Sequence, residues 1–489
     1  MKTVDNPEHP PVARRHWVLI ACMLAMFTAA IEVTIVATAL PTIITDLGGF
    51  SLLGWVFAAY LLTQAVSIPI YGRLADLFGR KRVFFIGMMI FLLGSALCGF
   101  SRHMGWLILF RAIQGLGAGA ITPIAFTIVA DVYSKTERPK IQGYLSSVWG
   151  ISAIAGPLMG AFIVERFSWA LVFWVNVPIG ILSILLLARY LPAVSRVRRH
   201  RLDWAGACYL ALTVATLLLA LLQAEAFGIG GVPLLAVAAA GAILLFRQER
   251  RAPEPLFPLA LWRNRVIVAG NFGGLLIGAA MMGVSAFLPT FIQSVMGRSP
   301  LEAGSILALM SIGWPLASTL SGRLMLWTSY RFTAVSGGVL LIAGSLMLLT
   351  LDPDTSLNWA RVAAFTIGAG MGLSNTTFLV SVQNAADYAI RGIATASTMF
   401  TRMLGSALGT AILGATLNIN LHFRLPEMAD PLQTLMDSRS RSMMSAAQLE
   451  SISWQVSSSI HWVFMVSALI AVITLFAAWM IPANQRIQG

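Results

Sequence analysis

The sequence predicts an all-α integral membrane protein with two pseudo-symmetric six-helix bundles, two inserted helices and both termini in the cytoplasm. Three observations predict this fold class: the composition, the number of long apolar windows and an internal repeat. Of the 489 residues, 57% are hydrophobic and only 11% are charged. A soluble chain of this length would need many more charges to cover its core. The chain is therefore expected to lie in a lipid bilayer.

Windows of about 20 apolar residues, the length that a helix needs to cross a bilayer, can be laid along the chain fourteen times. The predicted spans are 17–41, 51–71, 83–101, 106–131, 141–164, 169–190, 203–223, 229–246, 266–293, 302–327, 332–351, 359–381, 394–420 and 461–482. The longest polar stretch, about 421–460, separates the last two spans and contains an amphipathic pattern near 446–456. We expect this stretch to form an ordered cap outside the membrane.

The basic residues are distributed unequally between the two sides of the predicted membrane. Of the 33 Lys and Arg residues, two lie inside spans, seven lie in outer segments and the other 24 lie on the side of the N-terminus. The outer residues are Arg102, Arg166, Arg298, Arg361, Arg424, Arg439 and Arg441. An excess of Lys and Arg marks the cytoplasmic side, so both termini are predicted there. The net charge of +13 then reflects topology, and no nucleic-acid partner is expected.

An internal repeat relates the two halves of the chain. Glycines recur at an offset of 250 or 249 residues over about 90 positions, which favours a duplicated bundle. The pairs are Gly72 with Gly322, Gly87 with Gly337, Gly94 with Gly344, Gly143 with Gly392, Gly156 with Gly405 and Gly160 with Gly409. The seventh and eighth spans have no counterpart in the repeat and lie between basic linkers, so they are predicted to be an insertion.

The repeat and the spans together define the predicted domains. They are a cytoplasmic N-terminus 1–16, an N-terminal bundle 17–191, two inserted helices with basic linkers 192–265, a C-terminal bundle 266–482 that includes the outer loop 421–460, and a cytoplasmic tail 483–489.

Cysteine and histidine usage gives no sign of a disulfide framework, a metal site or an enzyme. Cys22, Cys98 and Cys208 each lie in an apolar run, where a thiol behaves as a small buried hydrophobe. The six histidines are scattered and form no set with Asp or Ser at one membrane face. We therefore expect no metal, no cofactor and no catalytic residue.

Three charged side chains lie well inside the spans, where ionisable residues are expensive and are functional candidates. Glu32 lies roughly 13 Å from the outer end of the first span and Arg111 about 8 Å from that of the fourth, so the two can meet. A carboxylate beside an arginine in such a site can take and release a proton as its surroundings change. The alternative is a static ion pair. The third residue, Arg402, has no carboxylate in its span, and backbone carbonyls or a water-filled path could accommodate it.

A short charged loop follows the second predicted span. Asp76 comes four residues after Gly72, and Gly79 allows the backbone to reverse before Arg80 and Lys81. We predict a charge latch, in which Asp76 pairs with a cation or a helix N-terminus in one conformation and loses that partner in another. The alternative, charges that only set the topology, explains the basic residues but not Asp76.

The fifth span is interrupted by Gly150, Gly156, Pro157 and Gly160. Gly156 and Gly160 form a small-residue face that lets another helix approach closely, and Pro157 frees a backbone carbonyl. On its own, this pattern indicates helix packing.

Four motifs together resemble the major facilitator superfamily, and within it the fourteen-helix drug:proton antiporters. GRLADLFGRKR (72–82) is similar to the signature loop after the second helix, and FRAIQGLGAGA (110–120) to the fourth-helix motif. GISAIAGPLMG (150–160) is similar to the antiporter motif of the fifth helix. IEVTIVATALP (31–41) resembles the first-helix motif of the fourteen-helix group, with Glu32 where Asp is usual. The resemblance covers essentially the whole chain.

The resemblance implies a transporter in which Arg111 takes part in proton coupling, Glu32 binds the proton and the fifth-helix motif favours export. We therefore expect a multi-pass protein of the cytoplasmic (inner) membrane that uses the proton gradient to export amphipathic cationic or neutral compounds by rocking of its two halves. We expect a monomer, and the outer loop could engage a periplasmic adaptor. The alternatives are a dedicated exporter of a lipid, siderophore or metabolite, with Arg402 attracting an acidic group, and a sensor without transport.

Overall fold

The computed structural model describes residues 12–49, 52–192, 203–222, 231–428 and 430–483, and over these ranges the protein contains helices and no strand. The α-helices are α1 Val12–Leu47, α2 Leu53–Phe78, α3 Arg80–Gly99, α4 Met104–Val132, α5 Arg138–Arg166, α6 Leu171–Trp174, α7 Asn176–Tyr190, α8 Trp204–Leu222, α9 Val232–Arg251, α10 Arg265–Ser294, α11 Pro300–Trp327, α12 Tyr330–Leu349, α13 Leu357–Ala385, α14 Arg391–Arg424, α15 Pro431–Met436, α16 Ser438–Met443 and α17 Ala446–Trp479. Short 3₁₀ helices occupy Leu259–Arg263 and Tyr388–Ile390.

Fourteen helical segments within the described ranges are long and apolar enough to cross a membrane, which confirms the predicted all-α membrane fold. One of them, Leu171–Tyr190, combines α6 and α7, which are separated by a turn at Val175. The stretch 430–460 is largely helical, and its last part belongs to α17, which continues into the final span. At 34 residues, α17 is about 51 Å long and exceeds the roughly 30 Å of a hydrocarbon core.

Local sequence explains where several helices begin. Gly79 has φ 94°, a conformation that side chains rarely adopt, and it reverses the chain between α2 and α3. Ser299 caps α11 in a capping box with Glu302, and Ser445 caps α17 in the same way with Gln448. These residues satisfy backbone N–H groups that a helix start leaves without an intrahelical partner.

The chain forms two compact units. The first contains the described residues of Met1–Asn271 and Leu379–Phe400, and the second contains Phe272–Phe378 and the described residues of Thr401–Arg486. In the first unit, α4 packs against α1, α2 and α3, α5 and α7 pack against α1, and the inserted pair α8 and α9 contacts α2 through α8. In the second unit, α12 packs against α17.

These units do not follow the predicted bundles, because the inserted helices and the segment Leu379–Phe400 pack within the first unit. The bundle boundaries that the repeat implies stay a prediction. The predicted position of both termini in the cytoplasm also stays a prediction.

Several glycines of the repeat make matching helix contacts in the two units. In the first unit, Gly87 of α3 lies against Gly117 of α4; in the second, Gly337 of α12 lies against Gly370 of α13. A second group of repeat glycines lies where other helix pairs approach each other. In this group, Gly156 and Gly160 of α5 face Thr34 and Ile35 of α1, and Gly405 and Gly409 of α14 face Leu275 and Ala279 of α10. These three pairs of repeat glycines thus mark the same helix contact in both copies.

Apolar side chains cover the outer faces of the helices. On α3, Ile86, Met89 and Leu93 follow one another at helical spacing and are each more than half exposed. A face of this kind would be unfavourable in water and suits contact with lipid chains. By contrast, every residue of α4 from Gly117 to Ala130 is buried, so α4 is enclosed by the other helices of its unit.

The close approach of α14 and α10 gives a test of the packing. An added Cβ at Gly405 would fall on the backbone carbonyl of Leu275, whereas one at Gly414, on the same helix, would meet nothing within 4 Å. We expect Gly405→Ala to lower stability by about 1–3 kcal/mol, and Gly414→Ala to be neutral or slightly stabilising because Ala favours helices. Thermal unfolding in detergent measures both. Equal midpoints for the two variants would contradict this packing.

Candidate functional site

One face of α4 carries Arg111, Gly115 and Gly119, which are spaced four residues apart and face α2. Gly115 allows α4 to approach so closely that an added Cβ would fall on the carbonyl of Tyr60. One turn earlier, the Arg111 Nε donates to the Val56 carbonyl at 3.1 Å. Gly115 and Gly119, which were not singled out from the sequence for helix packing, therefore also place Arg111 between α2 and α1.

Arg111 and Glu32 form an ion pair in the interior of the first unit. Arg111 Nη1 lies 2.6 Å from Glu32 Oε1, and both side chains have 0% exposure. The same Nη1 donates to Gln114 Oε1 at 2.7 Å. The guanidinium also lies over the ring of Tyr60, 4.2 Å from its centre. The structure thus brings together the two charges that the sequence placed at similar depths.

The second oxygen of the Glu32 carboxylate has a separate partner. Asn176, the first residue of α7, donates its Nδ2 to Glu32 Oε2 and also to Ser95 Oγ, the latter at 3.2 Å. Ser95 accepts a further hydrogen bond from Gln114 Nε2 at 3.0 Å and donates to the Phe173 carbonyl at 2.8 Å. Side chains from four helices, α1, α3, α4 and α7, therefore share one buried hydrogen-bond network.

This network can accept a change of charge at Glu32. Removing the charge of one member of a buried ion pair normally leaves the other without compensation. Here Arg111 would keep Gln114, the Val56 carbonyl and the face of Tyr60. Cation–π contacts and hydrogen bonds both stabilise a buried guanidinium. A neutral Glu32 is therefore compatible with the surrounding structure.

Asp76 forms the centre of a second charged cluster, at the end of α2. Its carboxylate accepts hydrogen bonds from the backbone N–H groups of Gly392 at 2.9 Å and Ile393 at 2.8 Å, in the first turn of α14. A carboxylate at a helix N-terminus is favourable, because the N–H groups there lack partners and the helix dipole is positive. Arg80 pairs with the same carboxylate at 2.9 Å.

The cluster around Asp76 continues through Asp131 at the end of α4. Arg80 Nε lies 3.0 Å from Asp131 Oδ2, and Arg391 Nη1 lies 2.5 Å from Asp131 Oδ1. Arg80 also donates to the Tyr388 carbonyl and lies over the Tyr388 ring, 4.3 Å from its centre. Two carboxylates and two guanidinium groups therefore balance one another within the first unit.

The other predicted latch residues have different surroundings. Gly72 gives α2 room against Ala396 of α14, since an added Cβ would fall on the Ala396 side chain. Gly79 makes the reversal described above. Lys81 donates instead to the carbonyls of Ala188 and Leu191, at 2.8 and 2.6 Å, and so caps the end of α7. Lys81 is thus close to the latch loop in sequence but serves a different helix.

The fifth-helix residues lie at a packing contact. Gly156 and Gly160 are buried, and added Cβ atoms would meet Thr34 and Thr38 of α1. Gly150 is half-buried and Pro157 is exposed, and α5 continues through Pro157 without a break. Their effect on the direction of transport stays a prediction.

Arg402 lies on α14 in the second unit and is half-buried. Its backbone carbonyl faces Gly278 of α10. Within the described ranges, its guanidinium has no hydrogen bond or ion pair, whereas Arg111 in the first unit has several. A role for Arg402 in proton coupling or substrate binding stays a prediction.

Several residues of the two clusters were not singled out from the sequence. Gln114 and Asn176 are amides within apolar spans, and Asp131 is an acidic residue at the end of one. Buried polar groups are unfavourable unless they are hydrogen-bonded, so the position of these residues was a usable signal. A helix N-terminus was among the predicted partners of Asp76, but nothing in the sequence identifies Gly392 and Ile393 as that N-terminus.

Comparison with known proteins gives a consistent family. The model of the Major Facilitator Superfamily matches residues 22–410. Multidrug resistance protein 3 of Bacillus subtilis (strain 168) is 34% identical, over 97% of this chain and 96% of that protein. Multidrug transporter protein MdtP of the same strain is 35% identical over 83% of this chain and 76% of its own length. The efflux pump FUS6 of Gibberella moniliformis is 31% identical over 87% of this chain and 78% of its own.

Solved structures share the fold at low identity. The human organic anion transporter MFSD10 aligns over 94% of this chain and 99% of its own, with a TM-score of 0.62 and 14% identity. The proton:xylose symporter XylE aligns over 96% of each chain, with a TM-score of 0.64 and 13% identity. At these identities the likeness concerns the fold alone.

A double-mutant cycle tests the coupling of Glu32 and Arg111. Arg111→Gln leaves a buried carboxylate without its cation, and we expect a loss of about 3–5 kcal/mol. Glu32→Gln should have a smaller effect, because Arg111 keeps its other partners. The double variant should lose less than the sum, with a coupling energy of about 1–3 kcal/mol. Unfolding in detergent provides the free energies. Strict additivity would contradict a coupled pair.

Two arginines in the first turn of α3, Arg80 and Arg82, give a matched test of the second cluster. Arg80 pairs with Asp76 and Asp131, whereas Arg82 is exposed. We expect Arg80→Gln to lower stability by roughly 3 kcal/mol or more, because it leaves two poorly exposed carboxylates short of a cation. Arg82→Gln should change stability by less than about 0.5 kcal/mol. The midpoint of thermal unfolding measures the stability of both variants. Similar losses of stability would contradict a specific role of Arg80 and would show that only the total charge of this segment matters.

Proposed function

Because the chain belongs to the major facilitator superfamily, we propose that it is a proton-coupled exporter of amphipathic compounds that works by alternating access in the cytoplasmic membrane. Export is supported by the relatives, which carry the names multidrug resistance protein, multidrug transporter and efflux pump. The chain covers 96% of the relative that carries the first of these names.

Proton coupling is carried by one observation, the surroundings of the Glu32–Arg111 pair. Both groups are fully buried and 2.6 Å apart, and Arg111 retains other partners if Glu32 becomes neutral. The same partners that complete the charged pair remain available to the guanidinium when the carboxylate is neutral, so neither state leaves Arg111 without a partner. The arrangement therefore favours a carboxylate that gains and loses a proton during the transport cycle.

The Asp76 cluster supports a latch that forms and breaks during transport. The Asp76 carboxylate joins the end of α2 to the first turn of α14, and Arg391 joins the same turn to Asp131 of α4. In the repeat, α14 belongs to the second copy and α2 and α4 to the first. Alternating access in proteins with such repeats proceeds by movement of one repeat relative to the other. That movement requires these bonds to open in one of the two states.

The substrate class follows from the charges available. Glu32 is a single deeply placed carboxylate, and each additional buried positive charge on a substrate needs a counter-charge. Neutral or singly charged lipophilic compounds therefore suit the site better than dications. The proton gradient serves as the energy source, and the proposal includes no cofactor.

Arg402 supports a second candidate, an exporter of an acidic lipid or metabolite. An arginine inside a span without a counter-charge is unfavourable and is a functional candidate. A substrate carboxylate or phosphate would supply that counter-charge and could form a bidentate pair with the guanidinium. This candidate keeps the fold, the latch and the direction of transport but changes the substrate.

Efflux of a fluorescent lipophilic cation tests the proposal. In everted vesicles, we expect an imposed proton gradient to drive transport, and Glu32→Gln to reduce gradient-driven transport by at least about tenfold, because the amide cannot exchange a proton. Glu165→Gln is the matched control, since Glu165 is an exposed carboxylate at the end of α5. This control should transport like the unmodified protein.

Two results would contradict this proposal in different ways. Full gradient-driven efflux in folded Glu32→Gln protein would remove Glu32 as the coupling residue. Transport of an amphipathic acid but of no cationic dye, with loss of acid transport in Arg402→Gln, would establish the second candidate.

A further inference from the structure

Asn176 is an amide within an otherwise apolar stretch, and its side chain is fully buried. It begins α7 immediately after the turn at Val175. Its Nδ2 binds Glu32 and Ser95, whereas its Oδ1 has no hydrogen-bond partner within the described ranges. A buried amide oxygen without a partner is unfavourable. This orientation is therefore maintained by the groups that accept from Nδ2, above all the Glu32 carboxylate.

Protonation of Glu32 changes the hydrogen-bond partner that its Oε2 needs, from a donor to an acceptor. The ionised carboxylate only accepts hydrogen bonds, whereas a protonated carboxyl also donates one. A fixed N–H donor opposite a new O–H group would leave the O–H without an acceptor. The amide of asparagine carries a donor and an acceptor that rotation about the Cβ–Cγ bond exchanges, so Asn176 can serve both forms of Glu32.

We propose that Asn176 is a positioning residue that turns its amide when Glu32 takes a proton and turns back when the proton leaves. The proton forms an O–H bond at Glu32 Oε2, and Oδ1 of the turned amide accepts that O–H. No other covalent bond changes. The proposal rests on proton exchange at Glu32, and it adds the group that makes each protonation state compatible with the same buried pocket.

The neighbouring bonds permit this rotation. When Nδ2 turns away, Ser95 Oγ still accepts from Gln114 Nε2 and still donates to the Phe173 carbonyl. Arg111 keeps its hydrogen bond to Gln114. The rotation therefore gives Oδ1 a donor at Glu32 in exchange for the two hydrogen bonds of Nδ2. It leaves Ser95, Gln114 and Arg111 each with at least one partner.

Infrared difference spectroscopy on the purified full-length protein can observe the rotation directly. With carbon-13 at the side-chain carbonyl of asparagine, lowering the pH should produce a carboxylic acid band from Glu32 together with a shift of one asparagine carbonyl band. We expect the asparagine shift to be lost both in Asn176→Asp, which assigns it, and in Glu32→Gln, which removes its cause. Persistence of the shift in Glu32→Gln would overturn the proposal.

Transport measurements provide a second readout with a matched control. Asn176→Asp keeps the shape of the side chain but loses the amide donor, and we expect gradient-driven efflux to fall by at least about tenfold. Ser183→Ala is the control, because Ser183 makes another buried hydrogen bond between α7 and α1, to the Ala21 carbonyl. Efflux in Ser183→Ala should stay within about twofold of normal, since the Glu32 network is intact. Equal losses in both variants would reduce Asn176 to a helix-packing residue.

The two proposals fail separately. A Glu32 band that responds to pH without any asparagine shift would remove the role of Asn176 and leave proton coupling intact. Absence of the Glu32 band, together with normal efflux in Glu32→Gln, would remove both.

Discussion

The ion pair between Glu32 and Arg111 is the interaction on which the interior of the first unit depends. Transfer of either charge from water to a membrane interior is strongly unfavourable, and attraction between them compensates only if the remaining donors and acceptors are also satisfied. In this protein, Gln114, Asn176 and the Val56 carbonyl bind the pair directly, the Tyr60 ring covers the guanidinium, and Ser95 accepts hydrogen bonds from both amides. The pair is therefore one part of a larger network, and its stability comes from the network and not from the two charges alone.

Close helix packing makes this network possible. Gly115 and Gly117 bring α4 against α2 and α3, at positions where any side chain would collide with backbone atoms. Arg111 can then reach a backbone carbonyl of α2, and Gln114 can reach Ser95 of α3. Lipid chains provide no hydrophobic force between helices, so small residues and interhelical hydrogen bonds have to hold them together. Gly115 and Gly117 are thus the structural basis of the charged site.

The sequence predicted the spans and the meeting of Glu32 with Arg111, because both follow from local pattern and depth. It did not predict the partners that complete each site. Asn176 contacts Glu32 because the turn at Val175 sets the rotation of α7, and that rotation depends on tertiary packing. Asp76 binds backbone N–H groups more than 300 positions away, and backbone groups carry no residue-type signal. The grouping of Leu379–Phe400 with the first unit depends on the same long-range contacts.

Each of the two charged clusters contains one residue of the same helix, α4. These residues are Arg111 and Asp131, and their separation of twenty positions corresponds to about 30 Å of helix. This helix is enclosed by α1, α2 and α3, so it can move only together with its neighbours or by breaking close contacts. If Glu32 takes a proton, as we propose, the ion pair that joins α1 to α4 would weaken, while Arg80 and Arg391 hold Asp131 at the other end of α4. A small displacement of α4 would therefore change both sets of bonds at once, which is the physical connection that coupling between proton binding and the latch requires.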